Sequence, residues 1–287
     1  MRDGLIVDVH THAWDSRAHI QDSFVQDLRL AHPGMEIDIE VTFDAYMKAM
    51  EPCERVICFG LRGLKSGLAV PNQYIAAFVQ RAPEKLIGFM SLDPNEPDWK
   101  DDFERSYQEF HLRGVKLGPL YAGFDPTDTK MDWLYARCVR HNLPVLFHMG
   151  TSFVRFGPLA WSKPLLIDAV ASRFPDLRIV IAHLGHPWEG DAIAVIRKHP
   201  HVYADVSALF GRPWQFYNSM VLAQEYGVFH KLLFGSDYPF TTPAASLQGL
   251  RTINRFSTGS NLPHVNNQAV EEIIHRDTVG LLWGEAG

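Results

Sequence analysis

LIVDVHTH at residues 5–12 and LLFGSD at residues 232–237 decide the fold of this chain. Each is a short apolar run that ends on a side chain able to bind a metal or move a proton. Between them lie six more runs of the same kind: Arg55–Leu61, Leu86–Leu92, Gly114–Leu117, Pro144–His148, Arg178–His183 and Val202–Ser207. With Leu5–His12 and Lys231–Asp237 they make eight. They alternate with amphipathic stretches, Phe43–Met50, Asn72–Arg81, Asp98–Leu112, Met131–His141, Pro164–Arg173, Trp188–Lys198 and Trp214–Tyr226. That alternation predicts βα units around a parallel sheet.

A closed barrel and an open doubly wound sheet both satisfy eight such repeats, and the polar residues separate them. His12, Lys116, His148, His183, Ser207 and Asp237 end or follow successive runs, as expected at the C-terminal mouth of a barrel. An open sheet would gather its ligand at one switch point, often behind a Gly-rich first turn, and none follows the first run. The expectation is an α/β fold, a single (β/α)8 TIM barrel over residues 1–287, a length that suits ~250 residues plus insertions. Residues 13–41 and 149–163 are read as long loops after strands one and five, on the catalytic face. Asn267–Trp283 reads as one final helix.

Composition narrows the partners. A net charge of −6, from 27 basic and 33 acidic residues spread along the chain, offers no basic stripe to nucleic acid and no polybasic run to a membrane. A small-molecule substrate is the expected partner, and a homodimer stays open. With no long apolar run and no leader-like start, the chain reads as cytoplasmic. Cys53, Cys58 and Cys138 lack metal-knuckle spacing and read as buried thiols.

Alternation along a strand places His10 and His12 on one side, with Asp8 one layer below. Two imidazoles in fixed relation make half of a tetrahedral shell for zinc, manganese or iron. His148 ends the fifth run and Asp237 the eighth, so four ligand-type residues gather at one end of the barrel. His183 is a further ligand or an imidazole that orients water and polarises substrate, and His186 reads as structural. In the loop after the fifth run, Arg155 lies among Phe153, Phe156 and Trp161, which suits a flat carboxylated substrate as well as a lid or dimer contact. Arg62, beyond the second run, is a second candidate anion contact.

DVHTH, RGVKLGP, PVLFHMG, IVIAHLGHP, VYADVS and LLFGSDYP, in this order, resemble the amidohydrolase superfamily. They look most like the amidohydrolase-related branch that contains aminocarboxymuconate semialdehyde decarboxylase. The resemblance implies one divalent metal, zinc first with manganese or iron as alternatives, on His10, His12, His148 and Asp237, with His183 catalytic. It implies a hydrolase in which metal-activated water attacks a carbonyl, Asp237 takes a proton and His183 stabilises the oxyanion. A non-oxidative decarboxylase of an unsaturated or aromatic carboxylic acid is the alternative, ahead of a hydratase and of a metal-stabilised binding barrel without catalysis. The chain departs from many relatives at Lys116-Leu117-Gly118-Pro119, where they carry KLHP, and at Asp277-Thr278, where they carry Asn-Ala. Lys116 is open to three roles: a bridging carbamate as in binuclear members, a substrate-contacting ammonium, or a structural lysine.

Overall fold

The computed structural model describes residues 5–34 and 38–284. Its strands are β1 (Val7–His12), β2 (Arg55–Phe59), β3 (Arg62–Gly63), β4 (Leu68–Ala69), β5 (Leu86–Ser91), β6 (Val115–Leu117), β7 (Val145–Phe147), β8 (Ile179–Ile181), β9 (Val202–Asp205) and β10 (Leu232–Leu233). β3 and β4 pair as a small antiparallel hairpin outside the main sheet. The other eight run in the order β1-β2-β5-β6-β7-β8-β9-β10, and every pairing is parallel. The ends of the sheet meet through Val9 N to Phe234 O at 3.0 Å, Asp237 N to His10 O at 2.8 Å and His12 N to Tyr238 O at 2.8 Å. This is a (β/α)8 barrel whose eight strands coincide with the eight apolar runs.

The alternation of side chains divides the core in two. Val7, Val9, Ile57, Phe59, Phe89, Leu146, Val180, Tyr203 and Leu233 fill the barrel interior, while Val115, Leu117, Val145, Phe147, Ile179, Ile181, Val202 and Ala204 pack outward under the helices. The helices follow their apolar spacing: Trp99–Gln108 buries Trp99, Phe103 and Ser106, one stripe of a 3.6-residue period.

Three features differ from the sequence reading. The final helix is two helices, Asn267–Ile274 and Thr278–Trp283, because Asp277 turns its carboxylate onto Gly280 N at 2.9 Å and starts the second one. That second helix carries Leu282 and Trp283 into the barrel core, and Trp283 Nε1 donates to Arg113 O at 2.9 Å. Residues 13–41 hold the helix Asp22–Ala31, although residues 35–37 lie outside the described part. An unanticipated helix, Pro243–Arg251, follows β10, capped by the Thr242 hydroxyl.

Asp8 is fully buried where the barrel closes, and its Oδ1 accepts from His10 N and Ser236 N, both at 3.0 Å. It thereby ties β1 to the segment after β10. Replacing Asp8 by Ala strands two buried N–H groups and should cost about 2–4 kcal/mol in urea unfolding, whereas Asp8→Asn keeps an acceptor and should cost less. Equal losses for the two variants would count against this role.

Candidate active site

The two histidines of β1 reach the barrel interior through an irregularity. Asp8 pairs with Val56 and Thr11 with Cys58, so three steps along β1 match two along β2, which is a bulge. Val7 and Val9 face inward below it. Above it the facing set shifts by one, and His10 and His12 face inward, with ring centroids 5.1 and 4.9 Å from Phe59. Asp8 is therefore not on the face of the two histidines, as strict alternation would have it. Thr11 points the other way, donating to Ile57 O at 2.8 Å.

His10 Nε2 and His12 Nε2 lie 3.3 and 3.2 Å from the same oxygen, Asp237 Oδ1. Asp237 follows β10 in a left-handed conformation, φ 68°, and His183 follows β8 with φ 56°. Such backbone is uphill for a residue with a Cβ and persists where its surroundings hold it. Here Asp237 N is held by His10 O at 2.8 Å, and His183 N by Asp205 Oδ1 at 2.9 Å.

Asp205, which sequence reading passed over, is the hub of the site. Fully buried on β9, it places Oδ2 2.9 Å from His10 Nδ1, while Oδ1 accepts from His183 N, Ser207 N and the Ser207 hydroxyl. A carboxylate only accepts, so Nδ1 of His10 carries the proton and Nε2 keeps a lone pair toward Asp237. The Ser207 hydroxyl, having given its hydrogen to Asp205, accepts from His183 Nδ1 at 2.8 Å. His183 Nε2 is left with a lone pair too. Gly235 makes room for this packing, since a Cβ there would stand 3.1 Å from that of His10 and 3.2 Å from that of Ser207. A signal for Asp205 existed: it sits two residues before Ser207 in the same apolar run, Val202–Ser207, whose alternation puts the two on one side.

The donor set fits a divalent cation. Ligand atoms of His10, His12 and Asp237 lie within 4.8 Å of one another, and two ligands ~2.1 Å from one ion stand ~3.0–3.4 Å apart at octahedral to tetrahedral angles. Burial holds the imidazoles of His10, His12 and His183 well below their ordinary pKa, in the neutral form that ligation requires. It also pushes the Asp237 carboxyl well up, against the nearby Lys116 charge, and a bound cation would reverse that by favouring the carboxylate. His148 stands slightly apart: its ring is 5.2 Å from that of His183, and its Nε2 donates to Thr151 O at 3.3 Å. Lys116 lies at the floor, its Nζ 3.2 Å from His10 Nε2 and 4.6 Å from the centre of the Phe59 ring. Burial pulls this ammonium down to about 7, opposed by Asp205 and Asp237.

Above these groups opens a cavity of ≈ 1000 Å³. His12, Lys116, His148, His183 and Asp237 line its base, and Trp14, Phe153, Phe210 and Phe240 its walls. Three residues expected at substrate are placed elsewhere. Arg155 turns outward, its side chain 69% exposed, onto Asp27 at 2.5 Å. Arg62 forks onto Glu96 in a separate depression. Trp161 is outside the lining, near Phe156 at Gly123. The loop after β7 still reaches the cavity, through Thr151, Ser152 and Phe153. Its path depends on Gly150, φ 105°, where a Cβ would come within 2.2 Å of the His186 carbonyl oxygen.

Comparison with known proteins agrees with the barrel fold and shows the family. A family model described as amidohydrolase matches residues 7–260. Among solved structures, an uncharacterized TIM-barrel protein from Bordetella bronchiseptica superposes with a TM-score of 0.76 at 22% identity, covering 96% of this chain and 98% of that one. A probable 2-pyrone-4,6-dicarboxylic acid hydrolase from Acinetobacter baumannii, with citric acid bound, gives 0.67 at 16% identity over 98% and 99% of the two chains. A dihydroxybenzoic acid decarboxylase from Polaromonas, with manganese and 2-nitroresorcinol bound, gives 0.66 at 13% identity over 99% and 98%. No curated protein matches the chain.

Removal of the Asp205 carboxylate should loosen the whole arrangement. Asp205→Ala is expected to weaken divalent-metal affinity by roughly 10–100-fold in a chelator competition, the usual effect of removing a carboxylate that orients a ligating histidine. Unchanged affinity would remove Asp205 from this role.

Proposed function

This chain belongs to the amidohydrolase family, and on that premise we propose that it is a metal-dependent hydrolase of a small carbonyl- or carboxylate-bearing substrate. The observation that carries the reading is the single Asp237 oxygen set 3.3 and 3.2 Å from two imidazole nitrogens. A divalent cation bound there supplies Lewis acidity toward a carbonyl oxygen and a lowered pKa for water. His10, His12 and Asp237 would hold it, with His148 at the base of the cavity as a further candidate ligand. Zinc, manganese and iron all suit two or three imidazoles and a carboxylate.

The protein's own groups then divide the proton work. Asp237 accepts the proton of the attacking nucleophile. His183, fixed by Ser207 and Asp205 with its Nε2 lone pair free, accepts a hydrogen bond from the attacking water and orients it. Lys116, when protonated, is a donor at the floor of the site. The aromatic walls exclude water and suit a flat substrate.

A second reading draws on the solved relative that decarboxylates dihydroxybenzoic acid. In it the bond to a substrate carboxylate breaks, carbon dioxide leaves, and the carbon keeps the electron pair and takes a proton from Asp237 or His183. A panel of lactones, amides and aromatic or unsaturated carboxylic acids, assayed for acid and for carbon dioxide release, separates the two.

His183→Asn is expected to keep the metal of the parent and lose roughly 100-fold in turnover. Asp237→Asn should lose both metal and rate, because it removes ligand charge and base together. A His183 variant that loses metal as fully as a His10 variant would make His183 a ligand and overturn its catalytic role.

A further inference from the structure

The proposed reaction builds negative charge on a substrate oxygen, and most of the ring N–H groups lining the cavity are already committed to the protein. His183 Nδ1 donates to the Ser207 hydroxyl at 2.8 Å, and His148 Nε2 to Thr151 O at 3.3 Å. The Trp14 indole donates to Ile39 O at 2.6 Å. His186, also in the lining, gives its Nδ1 hydrogen to Glu189 Oε1 at 3.2 Å, an oxygen that Gln215 of the helix Pro213–Glu225 reaches at 3.0 Å. Lys116 is held at the floor, its Nζ 3.2 Å from His10 Nε2.

Tyr121 is different. It lies in the short helix Pro119–Ala122, just after β6, and lines the cavity with its ring edge-on to that of His148, centroids 4.7 Å apart. Its mounting is rigid. The Ser66 hydroxyl donates to Tyr121 O at 2.6 Å, and Gly63 permits the approach, since a Cβ there would stand 2.8 Å from the Tyr121 carbonyl carbon and oxygen. The hydrogen bonds of Ser152 then decide where the phenolic hydrogen goes. Ser152 Oγ accepts from Val154 N at 3.1 Å and donates to the Tyr121 hydroxyl oxygen at 3.1 Å. That oxygen is therefore an acceptor toward the loop after β7, and its own hydrogen has no acceptor among the described residues. A phenol keeps this hydrogen at neutral pH. With Tyr121 buried apart from its place in the cavity wall, the O–H is left to whatever the cavity holds.

We propose that Tyr121 is a catalytic hydrogen-bond donor, its O–H aimed at the substrate oxygen that gains negative charge, with Ser152 as the residue that positions the phenol. The inference rests on the cavity being the substrate site, as in the proposed function. No proton leaves Tyr121 in this role. Its O–H bond persists while the hydrogen bond strengthens as charge builds on the acceptor, so the contact favours the transition state over the ground state. A donor fixed in place beforehand, as the Ser66 and Ser152 contacts fix this one, needs no reorganisation during the reaction.

The test uses Tyr121→Phe, which keeps the ring against His148 and removes only the hydroxyl. On a substrate found by the panel, kcat should fall roughly 100-fold with KM little changed, the pattern of a lost oxyanion donor. Calorimetry on the metal-loaded protein reads the same contact without turnover. Phenylphosphonate, whose tetrahedral anionic oxygens resemble an attacked carbonyl, should bind the variant about tenfold or more weakly than the parent, while benzamide, with an uncharged oxygen, should lose clearly less. Metal content should stay at the parent value. Ser152→Ala should weaken phenylphosphonate binding in the same direction by a smaller factor. If Tyr121→Phe fails to fold, unchanged phosphonate affinity in Ser152→Ala overturns the role by itself. Parent-like phosphonate binding by Tyr121→Phe, or equal losses for the two ligands, also overturns it, and loss of metal would make the phenol a prop for His148 instead of a donor. The binding comparison needs no substrate, so a panel without products counts against the hydrolase reading and leaves phenylphosphonate to judge Tyr121.

Discussion

One buried carboxylate determines how the site can work. Asp205 accepts from His10 Nδ1 through one oxygen and from the His183 backbone and Ser207 through the other. By being acceptor-only it fixes the proton of one imidazole directly and of the other through a hydroxyl. The two Nε2 lone pairs it leaves are the groups that a cation and a substrate need. A fully buried carboxylate is costly unless its lone pairs are used, and here hydrogen bonds to both oxygens offset that cost while specifying the tautomers. The left-handed backbone at His183 is held by the same residue.

Much of the architecture was legible because it follows from period alone. Runs of four to eight apolar residues and amphipathic stretches between them are local signals, and the eight barrel strands fall inside the runs that sequence marks out. The convergence of His10, His12, His183 and Asp237 was legible for the same reason, since the mouth of a parallel barrel collects whatever follows its strands. The bulge in β1 was not legible. It depends on a one-residue mismatch with β2, and it is what separates Asp8 from the two histidines it was expected to accompany. The break at Asp277 was visible in principle as a capping residue inside an otherwise continuous apolar pattern.

Charged side chains on loops were the least legible, because their partners come from distant sequence. Arg155 had the composition of a substrate contact and Arg62 the position of one, yet Asp27 and Glu96 neutralise them. Arg212 and Arg255 carry no such signal in sequence and line the cavity without an acidic partner among the described residues. What distinguishes the two pairs is the presence of a carboxylate 128 or 34 residues away, a fact only the fold supplies. His186, read as structural from sequence, similarly gains its cavity-facing place from Glu189 and the helix behind it.

The central claim is that the arrangement organised by Asp205 holds one divalent ion on which the chemistry depends. The most direct measurement strips the protein with a chelator and titrates zinc or manganese back, following bound metal and turnover together on a substrate found by the panel. The account predicts that turnover disappears on stripping and returns in proportion to bound metal, saturating at about one ion per chain, the stoichiometry of a single His/His/carboxylate site. Full activity in metal-free protein would contradict it, as would saturation at two ions with a carbamate on Lys116.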